Sequence, residues 1–220
     1  MSYALCGFVW GLFIPYIARR FAKFMPATFA YALFDICHCR FSLQTKGKEK
    51  FLRLRATLRW RSFMYALAAA VIFYALALRN PGFDAAGLAI FAGVSLLLVE
   101  IDSRLLLLPD IITYPLLILG FGFACFGGGI LPVESFIGAA AGYILPTVAA
   151  MFLVWKHKDA FGGGDVKYLA VIGAWLGLEK LLYVIIGACI IFAVYALAAR
   201  KRAGAFGPAL ALAAICAAFI

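Results

Sequence analysis

Hydrophobic residues in this chain come in long blocks, and short polar or basic segments separate the blocks. Eight apolar runs can be marked: Tyr3–Ala18, Phe63–Leu78, Phe83–Val99, Ile111–Phe126, Ile130–Val154, Val166–Leu178, Leu181–Ala199 and Ala203–Ile220. Most approach the ~17–25 residues that a membrane-spanning helix needs, and short runs can borrow polar flanks. Open strands are excluded, because lipid would leave their backbone N–H and C=O groups unpaired. The pattern predicts an all-α fold, a polytopic transmembrane helical bundle of about eight crossings. Its weakest member, Val166–Leu178, is short enough to be re-entrant.

Charge bears on that case. With the N-terminus outside and every run crossing, 18 of the 20 Lys and Arg residues fall inside, leaving only Arg79 and Lys180 outside. A re-entrant Val166–Leu178 would carry Arg200, Lys201 and Arg202 outside, against the positive-inside rule. Both termini are therefore expected in the periplasm. Composition agrees: 66% of residues are hydrophobic and 14% charged, against about 45–50% and 25% in soluble domains. Mean hydropathy is +1.03. The net charge of +10 reads as orientation and attraction to anionic lipid at the cytosolic face. No nucleic-acid partner is expected, since the basic residues cluster between apolar runs.

Two units follow. Residues 1–61 hold the first crossing and a basic cytosolic loop beginning at Arg19, and residues 62–220 form the membrane-embedded remainder. The first run lacks a preceding basic residue and a small-residue cleavage site, so it is expected to stay as an anchor. Cys6, Cys125, Cys189 and Cys216 lie in apolar runs and read as core or interface residues. Cys37 and Cys39 lie on the cytosolic side, where a stable disulfide is not expected.

Two carboxylates stand where crossings meet the cytosol. Asp102 follows Val99-Glu100-Ile101, and Asp165 follows Gly162-Gly163-Gly164. Ionisable groups at membrane depth are costly and point to function. The bland alternative makes them loop residues or helix caps, and Asp is a good N-cap. That alternative leaves the triple glycine unexplained, whereas a backbone without side chains lets an extended peptide lie beside a carboxylate. Two facing carboxylates can share one proton, so that one serves as acid and the other as base. The ionised member takes a proton from water as the water attacks a peptide carbonyl. The protonated member donates to the carbonyl oxygen or the leaving nitrogen. Cleavage of this kind needs no metal, nucleotide or covalent nucleophile.

These residues carry a family resemblance. Asp102, six residues, then Pro109-Asp110 resembles the Asp-x6-Pro-Asp element of type IV prepilin peptidases, the GxGD-type membrane aspartyl proteases. Gly162-Gly163-Gly164-Asp165-Val166-Lys167 resembles their Gly-x-Gly-Asp-x-Lys element, followed by Gly173-Ala174-Trp175-Leu176-Gly177. Gly138-Ala139-Ala140-Ala141-Gly142-Tyr143 is similar to the family's glycine-rich helix, and Phe206-Gly207-Pro208 to its Phe-Gly-Pro. The resemblance spans about Val99 to Leu212. It implies an aspartic endopeptidase of the bacterial inner membrane with its active site facing the cytosol. Such an enzyme removes a basic leader from prepilins or pseudopilins, after Gly and before an apolar stem. It also implies Asp102 and Asp165 as the catalytic pair, with Gly162, Gly164, Lys167, Pro109 and Asp110 in support.

The N-terminal unit departs from that pattern. Many bacterial members carry two Cys-x-x-Cys pairs that can hold zinc, and also methylate the new N-terminus with S-adenosylmethionine. Here only Cys37, His38 and Cys39 remain, which are crowded and one ligand short of a tetrahedral site. The first crossing has Gly11-Leu12-Phe13-Ile14-Pro15 where the family has Gly-Ser-Phe-Leu-Asn. Neither zinc nor S-adenosylmethionine is supported by these residues. The rival readings are an ion-coupled membrane transporter, which also uses buried Asp and glycine-broken helices, and an inactive peptidase-derived pilus assembly protein.

Overall fold

The structure, a computed structural model, describes residues 1–24, 48–80, 82–154, 162–199 and 204–219. Cys37, His38, Cys39 and the basic clusters at Lys156–Lys158 and Arg200–Arg202 lie outside them. Every described element is helical: α1 (Ser2–Phe24), α2 (Lys48–Arg79), α3 (Phe83–Leu105), α4 (Asp110–Cys125), α5 (Pro132–Val154), α6 (Gly163–Ala199) and α7 (Gly207–Ala217). No strand occurs among the described residues, in keeping with the all-helical expectation. Helix α2 begins at Lys48, so the stretch read as loop up to Arg61 is helical in its last part. A helix satisfies its own backbone, so a basic stretch can carry it straight out of an apolar run.

Spans within α1, α2, α3 and α6 are long and apolar enough to cross a membrane. Helix α6 is not straight. Gly177 has φ 79° and ψ 174°, non-helical angles that a glycine adopts without steric penalty. A straight helix would set Tyr195 about 45 Å from Asp165. Instead Phe192 meets Phe206 edge-on, with ring centroids 5.4 Å apart, and the next residue, Gly207, bonds Asp102. At the start of the same helix, Gly164 packs on Leu108, six residues past Asp102. Both ends of α6 thus return to the Asp102 level, and the chain reverses at Gly177. The two arms correspond to the sixth and seventh apolar runs. Helices α4 and α7 are shorter; α7, at 11 residues, extends about 16 Å, less than the ~30 Å of hydrocarbon.

Small residues set the close crossings. Gly138 and Gly142 of α5 face the backbone of Gly173 and Leu169 on the first arm of α6, and any Cβ there would collide. Such small-x-x-x-small spacing lets membrane helices approach backbone to backbone. Ser135 adds a buried hydroxyl bond to the Ala174 carbonyl, 2.7 Å long. Gly7 and Gly11 of α1 meet Ala69 and Ala66 of α2 in the same manner. Between α3, α4 and α6, the Trp175 ring stacks on Phe91 (5.4 Å) and Phe123 (5.2 Å). Its indole N–H donates to the Leu116 carbonyl at 2.8 Å. These contacts fix the depth of the first arm of α6 against α3 and α4, and thereby the depth of Asp165.

Cys6, Cys125, Cys189 and Cys216 are free and exposed rather than in the core. A thiol is apolar enough to face lipid, so burial in protein is not required of it. Helix α3 ends on Leu106, whose backbone is left-handed at φ 52° and ψ 40°. For a residue with a Cβ this conformation costs about 1–2 kcal/mol.

Candidate active site

Asp102 sits in the last turn of α3 and is 5% exposed. Its Oδ2 accepts the N–H of Gly207 at 3.0 Å. Gly207 opens α7 and is itself buried. A methyl group there would lie 2.6 Å from Oδ2, so only glycine lets the α7 backbone reach the carboxylate. This contact gives Phe206-Gly207-Pro208 a physical role, and it joins residues 105 positions apart.

Asp165 lies in the first turn of α6, half-buried, with its N–H donating to the Gly162 carbonyl at 3.0 Å. It is close enough to Asp102 for the two carboxylates to interact electrostatically. The sequence therefore paired two groups that the fold does bring together. Gly162 and Gly163 are exposed. A Cβ on Gly162 would stand 3.1 Å from Oδ2 of Asp165. Among the described residues, nothing lies within 4 Å of such a carbon on Gly163.

The segment from α3 to α4 straps the two aspartates together. The Leu106 N–H caps the Asp102 carbonyl at 2.9 Å. Leu108 then packs on Gly164, where a Cβ would lie 3.0 Å from its own. Pro109, extended at φ −70° and ψ 130°, caps α4 and takes the N–H groups of Ile112 and Thr113 on its carbonyl. Asp110 finally accepts Lys167 Nζ on both oxygens at 2.7 Å, with the ammonium 5.4 Å from the Tyr114 ring centre. The strap thus grips α6 at Gly164 and Lys167, on either side of Asp165. If Asp110 and Lys167 act only through each other, Asp110→Asn and Lys167→Met should lower turnover by similar amounts. The double variant should then be no slower than either single one. Independent, multiplying losses would separate the two residues. Because both side chains are solvent-accessible, stability should change by less than about 1 kcal/mol.

Glu100 had no assigned role in the sequence, and the structure gives it one. It is 1% exposed. Its carboxylate accepts Arg61 at 3.0 Å, Tyr65 at 2.9 Å and Arg104 through both Nε and Nη2. A buried carboxylate requires such partners. The cluster stitches α2 to α3 one half-turn before Asp102. The Arg104 part was legible as an i,i+4 pair; Arg61 and Tyr65 are 39 and 35 residues away. No group of three or more His, Cys, Asp and Glu that could hold a metal occurs among the described residues.

Comparison with known proteins finds similarity over the same stretch of chain. A family model described as the type IV leader peptidase family matches residues 89–197, the stretch that contains Asp102, the strap and Asp165. Over residues 89–197 the chain is similar to the type IV leader peptidase family. A protein of Dickeya chrysanthemi named prepilin leader peptidase/N-methyltransferase is 32% identical over 181 residues, covering 74% of this chain and 64% of that protein. Proteins of the same name are 38% identical in Neisseria gonorrhoeae, over 53% of this chain and 42% of that protein, and 39% identical in Klebsiella pneumoniae, over 47% and 46%. The chain spans less than two thirds of the length of each of these leader peptidases. No solved structure matches it.

Proposed function

We propose that this chain is an integral-membrane aspartic endopeptidase that removes the basic leader from prepilins or pseudopilins at the cytosolic face of the bacterial inner membrane. The observation that carries the reading is the convergence of the end of α3 at Asp102 with the start of α6 at Asp165, near enough for the two carboxylates to interact, on helices joined where Leu108 packs on Gly164. One carboxylate, ionised, takes a proton from water, and the water oxygen bonds to the peptide carbonyl carbon. The other, protonated, gives its proton to the carbonyl oxygen. As the tetrahedral adduct collapses and the C–N bond breaks, the carboxyl that took the water proton passes it to the leaving nitrogen, and the other recovers its proton from the adduct hydroxyl. Among the described residues nothing obstructs the backbone at Gly163, which supports entry of an extended peptide beside Asp165. Gly162, Gly164, Pro109, Asp110 and Lys167 position the pair.

Eight crossings with both termini periplasmic remain the topology we propose, supported by the reversal at Gly177 and the basic asymmetry of the connecting segments. Anionic lipid would then lie against the basic cytosolic face. The family match favours a peptidase over an ion-coupled carrier. Of the two activities in the relatives' name, the described site supports the peptidase, and cleavage requires no cofactor in this mechanism. Purified protein in liposomes is accordingly expected to shorten a prepilin by its leader with a strong metal chelator present and after thiol alkylation. Loss of cleavage on chelation, restored by zinc, would contradict a cofactor-free peptidase.

A further inference from the structure

Leu106 is the one non-glycine residue with positive φ among the described residues. It closes α3 one turn beyond Asp102. Glycine or asparagine would close the helix there with less strain. The leucine side chain gains little inside the protein in return, being 69% exposed. Leu107 beside it is also exposed, whereas Leu108 is buried on Gly164. Two exposed leucines therefore stand on the strap that runs from Asp102 to the residue before Asp165. Strained residues that the surrounding structure holds in place concentrate at functional sites. Lipid contact demands no such backbone: the exposed Leu119, Leu182 and Leu197 all sit in regular helix. Leu106 differs in being held by the α3 cap, two residues before the buried Leu108 and within one turn of Asp102.

We propose that Leu106, with Leu107 beside it, contacts the apolar segment of the peptide substrate next to the scissile bond and selects for apolar residues there. The contact rests on the leader-peptidase reading above. It explains why an exposed apolar side chain is kept where the backbone favours glycine: the residue is covered when substrate binds, and apolar area leaves water or headgroup surroundings at that moment.

Leu106→Gly and Leu106→Asn both suit a left-handed helix end, so each should fold at least as stably as the wild type. Kinetics are measured on the purified full-length chain with two synthetic peptides. One carries a basic leader and an apolar stem; in the other, the first three stem residues are serine. With the apolar stem, both variants are expected to raise KM about tenfold and to change kcat by less than about threefold. Leu106→Met should retain the wild-type KM. With the serine stem, wild type and Leu106→Gly should share one KM, since the contact has no partner to lose. An unchanged KM for the apolar stem in both Gly and Asn variants overturns the contact. So does an equal rise for both peptides, which would mark Leu106 as seated in lipid. Failure of the wild type to cleave either peptide overturns the leader-peptidase reading and this contact with it.

Discussion

Asp102→Asn and Asp165→Asn should each slow leader cleavage by about 10³-fold or more at saturating substrate, with no loss of folded protein. Asparagine keeps the volume of aspartate and cannot exchange a proton with water or substrate. At position 102 its amide oxygen can still accept the Gly207 N–H, so the junction of α3 with α7 survives. Removing one of two neighbouring carboxylates also relieves like-charge repulsion between them. Melting temperature should therefore stay level or rise. The loss should appear in kcat rather than KM, because proton transfer is made only in the transition state. Turnover above about one per cent of wild type in either purified variant would remove that residue from the catalytic pair.

Gly207→Ala should lower kcat by about 10²-fold and also destabilise the protein. In a helix Ala is ordinarily better than Gly by about 1 kcal/mol, so propensity alone points to a more stable variant. The new methyl, however, would sit 2.6 Å from Oδ2 and 3.0 Å from Cγ of Asp102. Its neighbour is a buried carboxylate held by a hydrogen bond. Either Asp102 rotates away from the Gly207 N–H or α7 shifts outward. Overpacking of this kind costs about 1–3 kcal/mol, and moving a reacting group by about 1 Å can cost about 10²-fold in rate. Thermal melts beside single-turnover kinetics check both signs. A Gly207→Ala protein that is more stable and equally active would show that α7 does not press on Asp102.

The sequence displayed the parts of this molecule that repeat along the chain. Blocks of apolar residues announced the helices, because a membrane-spanning helix needs length more than any specific contact. The two aspartates were legible because ionisable residues at membrane depth stand out against apolar surroundings. The gap between the Val166–Leu178 and Leu181–Ala199 runs, at Glu179-Lys180, lies two residues past the reversal at Gly177, although Val166–Leu178 on its own resembled a re-entrant segment. What stayed hidden depends on residues far apart in the chain. The bond from Gly207 to Asp102 spans 105 positions and uses a backbone N–H, which leaves no trace in side-chain chemistry. Glu100 looked like one polar letter in a motif, since Arg61 and Tyr65 lie on another helix. Leu106 could not be foreseen as left-handed, because the usual signal for that conformation is Gly or Asn. The extension of α2 back to Lys48 was read as loop because its basic residues show no apolar run.

The central claim is that a carboxylate pair activates water directly. Its most direct test is mass spectrometry of the leader released by the purified wild type in ¹⁸O-labelled water containing a competing amine. Direct attack of water should give a leader whose new carboxylate carries one ¹⁸O, with no leader–amine adduct at any amine concentration. Transfer of the leader to the amine would reveal a covalent acyl-enzyme, and would contradict catalysis by Asp102 and Asp165 as a water-activating pair.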